Sequence, residues 1–270
     1  MSQTILLTGA TGDVGGRLRP MLRERYAHVV LSGRKEITDL APNESFRPAR
    51  LDVAAEVRAV CEGVDGIVHM GGQSVEAEWS VVDAANVQGM MNLFEGARAQ
   101  GVKRVIFASS NHAIGMYPRN RRIGVDDLVR PDSRYGLSKV FGEALASLYA
   151  DKHGMRCMSI RIGNVADKPV DRRRLSIWLH PEDLMQLCAI GLEHPEMHNS
   201  VVWGESDNAR SFWDNAPAYR LGYRPKHRAE DHAAEVLARG EAADAVGDLF
   251  QGGGFSAKEF DGDLDRTLWS

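Results

Sequence analysis

Through the first 165 residues, short apolar runs alternate with longer stretches in which apolar residues recur at helical spacing. Thr4–Leu7, His28–Leu31, Gly66–Met70, Val102–Ser109 and Met155–Ile162 read as buried parallel strands. A strand covered on both faces shows a continuous apolar run, with no polar side to alternate with. Between these runs, Val14–Tyr26, Ala54–Cys61, Val81–Gln100 and Tyr135–His153 carry the period of amphipathic helices. Strand and helix in alternation predict an α/β chain with a doubly wound parallel sheet. Gly, Asp and Pro fall between the periodic segments, as loops require. After residue 165 the rhythm changes. Val170–Leu175 holds three consecutive arginines, a helix is expected around Pro181–Gly191 and a strand at Ser200–Trp203. The tail carries Trp203, Trp213, Trp269 and Gly252-Gly253-Gly254. The expectation is a single domain over 1–270, with a core in 1–165 and a small cap and tail in 166–270 over the carboxyl edge of the sheet.

Composition narrows the class. The chain has 270 residues, 43% hydrophobic and 26% charged, which is ordinary for a globular protein with a large core. A net charge of −4 argues against a nucleic-acid partner, and the absence of a Lys/Arg block argues against an acidic membrane surface. No run of about 18 apolar residues exists to span a membrane. The N-terminus runs straight into a strand pattern with no leader-like segment, so a cytoplasmic location is expected. Cys61, Cys157 and Cys188 lie far apart without a C-x-x-C pair and read as buried thiols of a reducing compartment. No His/Cys/Asp/Glu grouping has metal-ligand spacing, and no metal is expected.

Chemistry begins at Thr8-Gly9-Ala10-Thr11-Gly12-Asp13-Val14-Gly15, between the first strand and the first helix. In that context Gly9 permits a tight turn, Gly12 lets backbone approach a pyrophosphate, and Gly15 allows close helix–strand packing. The helix start, with Thr11, Asp13 and Val14, offers N–H groups and a favourable dipole to the anion. A Rossmann-type dinucleotide site follows. An NAD-binding sheet usually ends its second strand in Asp or Glu, to hold the ribose hydroxyls. Here the strand runs Leu31-Ser32-Gly33-Arg34, with Lys35 next. Arg34 offers a fork that matches a 2′-phosphate, pointing to NADP; alternatively it stacks on adenine or is merely solvated. Asp52 and Val53, read as following a third strand, are placed to meet the adenine edge.

Tyr135 and Lys139 stand four residues apart, hence on one helix face. A phenol titrates near 10, so it serves as a base near neutrality only beside a cation that stabilises its phenolate. Alone, Y-x-x-x-K is also a common surface pattern. Phe107-Ala108-Ser109-Ser110-Asn111-His112 ends the strand that would face the pair, where a hydroxyl can hydrogen-bond the reacting oxygen.

Loop, serine run and Tyr/Lys pair, in this order, resemble the extended short-chain dehydrogenase/reductase superfamily. Within it the chain is most similar to the uronate dehydrogenase family. The likeness is carried by Val68-His69-Met70-Gly71-Gly72-Gln73-Ser74-Val75-Glu76 and Ser109-Ser110-Asn111-His112-Ala113-Ile114-Gly115-Met116-Tyr117-Pro118. Arg161-Ile162-Gly163, Leu175-Ser176-Ile177-Trp178, Val201-Val202-Trp203-Gly204, Trp213-Asp214-Asn215 and Phe250-Gln251-Gly252-Gly253 continue it along nearly the whole chain. The resemblance implies oxidation at C1 of a hexuronic acid such as glucuronate or galacturonate to an aldarolactone, with NAD as acceptor. It implies Tyr135 as base, Lys139 lowering its pKa and holding the nicotinamide ribose, and Ser110 steadying O1. Ser74, Asn111 and His112 would bind sugar hydroxyls, and Arg173 would clamp the carboxylate. Met70, Gly71, Gly72 and Ile162 would line the cofactor, and Asn86 would hold its helix near the site by binding main chain. It also implies a homo-oligomer.

Two departures stand out. The family's acidic residue after the second strand is replaced by Gly33-Arg34, so cofactor use is expected to extend toward NADP. The family's serine after Arg161-Ile162-Gly163 is Asn164, the residue found there in nucleotide-sugar epimerases. An epimerase or dehydratase is therefore one rival reading, opposed by the short C-terminal part. A non-catalytic NADP sensor is another, opposed by the complete Ser110/Tyr135/Lys139 set. His69 reads as packing under the nicotinamide loop. Arg172, Arg173 and Arg174 also fit a solvated face, and Trp178, Trp203 and Trp213 read as packing.

Overall fold

The computed structural model describes residues 3–269. β1 (Thr4–Thr8), β2 (His28–Gly33), β4 (Gly66–His69), β5 (Arg104–Ser110) and β6 (Arg156–Ile162) occupy the five apolar runs. The third strand that the reading of Asp52 and Val53 implied is β3 (Glu44–Pro48), which the apolar runs did not bound because its residues Glu-Ser-Phe-Arg-Pro contain none. It needs none, because it lies at the sheet's edge and is half-exposed. The strand order is β3-β2-β1-β4-β5-β6-β9, every pairing parallel, and β9 (Asn199–Gly204) comes from the C-terminal third of the chain. The order reverses between β1 and β4. Ligands of such sheets bind at that crevice, beyond the carboxyl ends of the strands.

Helices α1 (Asp13–Arg25), α2 (Ala54–Val60), α3 (Trp79–Val82), α4 (Gly89–Ala99), α5 (Arg134–His153), α6 (Arg174–Ile177) and α7 (Pro181–Glu193) clothe the sheet. Leu18 and Leu22 of α1 and Leu184, Leu187 and Cys188 of α7 pack on one face. Val57 of α2, Leu93, Phe94 and Ala97 of α4, and Leu145 and Ala146 of α5 pack on the other. Each such buried leucine contributes roughly 1.5–3 kcal/mol. A third cluster of Ile114, Tyr117, Ile123, Ile177, Trp203 and Trp213 gathers the segments beyond the strand ends. Trp203 and Trp213 stack with centroids 4.5 Å apart and are buried with Trp178, so all three tryptophans pack. The three cysteines are free and buried, as their spacing implies. Among the described residues no helix is long and apolar enough to cross a membrane.

Two local features aim the site. Between α3 and α4 the helix widens into a π turn over Asp83–Gln88, where a continuous helix is expected from periodicity. Such turns recur at functional sites because they redirect a side chain, here Asn86. A buried ion pair then ties α5 to β6: Arg161 meets Glu143 through two bonds of 2.9 and 2.8 Å, and the Ser109 hydroxyl donates to the same carboxylate at 2.5 Å.

Candidate active site

The glycine loop leaves β1 and enters α1 as the motif requires. Gly9 sits at φ 67°, and a Cβ there would lie 2.7 Å from the backbone of Met70 and Gly71. A Cβ on Gly15 would overlap Gly9 O, so the helix can approach the strand only with glycine here. No side chain caps α1 at Gly12, which leaves first-turn N–H groups for an anion. These are the demands of a dinucleotide pyrophosphate, and the residues fit it.

The other cofactor candidates distribute around this loop. Thr11 is exposed, and its Oγ1 lies 3.4 Å from where a Cβ on Gly33 would be, so the end of β2 borders the loop. Arg34 is exposed beside it, and its charge helps hold the Asp52 carboxyl below the ordinary range. The main cause there is Arg50, which binds Asp52 at 3.2 and 2.6 Å. Val53 occupies the position just before α2, Asp13 pairs with Arg17 at 3.0 Å, and Val14, Met70 and Ile162 pack partly buried on the core. Asn86 reads both main-chain groups of Gln73, accepting at 2.7 Å and donating at 3.0 Å, and donates to Ser138 Oγ at 2.9 Å. Its oxygen also abuts Gly72, which takes φ 123°. Asn86 thus fastens the Gly71-Gly72 turn to α5.

The catalytic candidates converge where β5 ends and α5 begins. Ser133 caps α5, accepting from Gly136 N at 3.0 Å, and Glu76 accepts from Tyr135 N at 2.8 Å. Tyr135 is 8% exposed. Burial pushes its phenol up to about 12, against a hydrogen bond with Ser110 that lowers it. One turn on, Lys139 is 5% exposed and donates to Ala108 O at 2.9 Å, with its Nζ 5.3 Å from the Tyr135 ring centre. Burial brings its ammonium down to about 8 from 10.5. His69, held to Thr8 Oγ1 at 2.7 Å under the loop, is driven to about 3 by burial and by Lys139.

Lys139 ties the site to stability. The unfolded chain keeps this proton up to about 10.5 and the native chain releases it near 8. Between these values the unfolded state holds more protons, so native stability rises with pH. Lys139→Met removes that dependence. The melting temperature of the variant relative to wild type is expected to fall as pH goes from 8 to 10, measured by thermal unfolding. A constant difference across the window would show that Lys139 stays protonated.

Asn111, 1% exposed, donates to Ile162 O at 3.2 Å and accepts from Arg173 Nη2 at 2.9 Å. Arg173 Nε donates to Gln251 O at 2.8 Å. Burial, and then Arg119, lower its guanidinium to about 10, while Asp132 works the other way. His112, on the turn after β5, packs edge-on against Tyr135 with centroids 5.7 Å apart. Tyr135, Lys139, Ser110, Asn111, His112 and Arg173 are thus linked by contacts. Asn164 is half-buried on β7 (Asn164–Val165), which continues from β6 and pairs with β8 (Trp178–Leu179). Ser74 is exposed on the loop after β4.

Sequence reading missed Glu76, Asp132 and Phe255. Phe255 stacks on His112 at 3.9 Å, and Asp132 bonds it at 2.7 Å. Only Glu76 had a signal, at the end of the Gly71-Gly72-Gln73-Ser74 run. The fold also gathers His180, Glu182 and His227 at the start of α7, with ligand-type atoms within 4.8 Å of one another, a grouping their spacing hides. The two rings stack at 3.4 Å, His180 Nδ1 accepts from Glu182 N at 3.2 Å, and His227 Nε2 meets Glu182 Oε2 at 3.2 Å. The His180 contact caps α7.

Residues 5–212 match the model of the NAD dependent epimerase/dehydratase family. A uronate dehydrogenase from Pseudomonas syringae pv. tomato is 43% identical over 94% of this chain and 93% of its own length. Among solved structures, glucuronic acid dehydrogenase from Chromohalobacter salexigens superposes with a TM-score of 0.92 at 40% identity, covering 95% of this chain and 97% of that one. A mutant uronate dehydrogenase from Agrobacterium tumefaciens complexed with NAD gives 0.92 at 37% identity, covering 96% and 98%.

Proposed function

The chain belongs to the NAD-dependent epimerase/dehydratase family and, within it, to the uronate dehydrogenases, and on that premise we propose that it oxidises C1 of a hexuronic acid to an aldarolactone. The observation that carries this reading is Arg173. Its guanidinium is held by neutral oxygens of Gln251 and Asn111 and enters no ion pair among the described residues. A partly buried cation with neutral partners favours an anion, and a planar carboxylate fits its fork. It reaches through Asn111 to the end of β5, where Tyr135 and His112 meet.

The glycine loop, Asn86 with Gly71 and Gly72, and Lys139 would hold NAD, which supplies a two-electron hydride acceptor. Tyr135 Oη would take the O1 proton as the C1 hydrogen leaves with its electron pair, so that C1 becomes the lactone carbonyl. Lys139 would stabilise the phenolate, and Ser110 would donate to O1. Ser74, Asn111, His112 and Asn164 would read sugar hydroxyls. The epimerase and sensor readings are not favoured: an epimerase retains its nicotinamide, and a sensor needs no Tyr/Lys pair. A panel of uronates and neutral aldoses, read at the nicotinamide absorbance band, tests the proposal. Turnover on glucuronate or galacturonate with free cofactor exchange supports it; retained cofactor and no lactone would overturn it. Self-association and a cytoplasmic location complete the reading.

We further propose that NADP is accepted at least as well as NAD. No acid stands at the end of β2 to repel a 2′-phosphate, and the exposed Arg34 borders the loop at Gly33. Asp39, farther along, is engaged by Arg19 at 3.1 Å. Arg34→Ala is expected to lower kcat/KM for NADP by roughly ten- to a hundredfold, the loss of one charge-assisted partner, and to spare NAD. A wild type that strongly prefers NAD would reject this.

A further inference from the structure

Asp132 belongs to no motif in the sequence, yet its side chain is completely buried beside the reacting tyrosine. Its Oδ2 meets His112 Nδ1 at 2.7 Å, and its Oδ1 accepts from Ser133 Oγ at 2.7 Å. Its own N–H donates to His112 O at 3.3 Å. Three glycines make the space for this carboxylate. A Cβ on Gly115 or Gly252 would overlap it, and one on Gly136 would sit 3.2 Å from Oδ1. The chain therefore brings two separate segments, at Gly115 and Gly252, against Asp132 without a side chain, while Gly136 one turn on keeps the start of α5 close. The charge also acts across the site, since Tyr135 and Arg173 both feel it.

His112 is held on every side that matters. Phe255 stacks on its ring at 3.9 Å with planes 22° apart, and Tyr135 meets its edge at 65°. Its backbone N–H donates to Ser110 Oγ at 3.2 Å, so the ring and the serine that faces O1 are placed together. An ionised carboxylate only accepts hydrogen bonds, so the nitrogen facing Asp132 must carry hydrogen. In neutral imidazole the other nitrogen then bears the lone pair.

We infer that Asp132 is a positioning residue: it fixes His112 in the Nδ1–H tautomer, so that Nε2 accepts a hydrogen bond from a substrate hydroxyl, while Phe255 holds the ring plane. The site thereby demands a hydroxyl donor opposite Nε2, which makes the pair a determinant of sugar configuration. This inference rests on the uronate-oxidising reading for its substrate but not for its tautomer.

The test separates the two. Nitrogen-15 NMR of the imidazole, with His112 assigned through His112→Gln, is expected to report hydrogen on Nδ1 and a bare Nε2 in wild type. In Asp132→Asn and Asp132→Ala that preference is expected to be lost. On whichever sugar the wild type oxidises, both variants are expected to lose ten- to a hundredfold in kcat/KM, with dinucleotide affinity intact. With the deoxy analogue lacking the hydroxyl that faces Nε2, wild type and variants are expected to converge. Hydrogen on Nε2 in the wild type would overturn the proposal. So would an equal loss on every deoxy analogue accompanied by lost dinucleotide binding, because Asp132 would then serve folding alone. A wild type that shows the Nδ1–H tautomer but oxidises only neutral sugars would refute the uronate reading and leave the positioning role standing.

Discussion

Tyr135→Phe is expected to abolish turnover while leaving dinucleotide binding nearly unchanged. Phenylalanine keeps the ring that packs against His112 and Phe255 and removes only the titrating oxygen. The backbone N–H that Glu76 accepts from is untouched, so the start of α5 keeps its anchor. A positioned base is worth on the order of 10²–10⁴ in rate, and the loss should appear in kcat. The environment explains why the oxygen needs help. Burial first, and then the Asp132 charge, push the phenol up to about 12, against the Ser110 hydrogen bond that lowers it. Lys139, buried one turn away, adds positive charge when protonated, and the cationic ring of oxidised nicotinamide adds more. Steady-state kinetics with fluorescence titration of NADH separate chemistry from binding. More than a few per cent of the wild-type rate in the variant would reject Tyr135 as the base.

Arg173→Met should raise KM for uronates far more than for neutral aldoses. Losing a charge-assisted pair costs on the order of 1.5–3 kcal/mol, about ten- to a hundredfold. The substitution also strips a donor from Gln251 O and from Asn111, and that structural loss falls on every substrate alike. The ratio of the two kcat/KM changes therefore isolates the carboxylate. Arg173→Lys restores charge without the fork and should recover only part of the ratio. An equal effect on uronates and aldoses would show that the arginine does not read the carboxylate.

What was legible in the chain was local. The parallel strands β1, β2, β4, β5 and β6 announce themselves because both their faces are covered and short apolar runs form most of each. The bounds of the edge strand β3 escaped because one-sided pairing and partial exposure leave its composition unconstrained. The glycine loop was readable because backbone approach and helix packing demand glycine at fixed spacing. Tyr135 and Lys139 were readable because four residues make one helical turn. The π turn that directs Asn86 left no mark, since no Gly or Pro interrupts Asp83–Gln88.

The sequence by itself therefore determined the central strands, the glycine loop and the Tyr/Lys pair, each a matter of periodicity or of backbone geometry within a few residues. Only the tertiary structure decided what surrounds them. His112 and Asp132 are 20 residues apart, Arg173 and Gln251 are 78 apart, and Phe255 arrives from near the end of the chain. Which of these loops meet depends on strand order and on how the C-terminal segments close over the strand ends. Contacts of that kind leave no period in the sequence. They arise from the packing of separate segments, and so Asp132 became visible as a functional residue only once three glycines had closed around it.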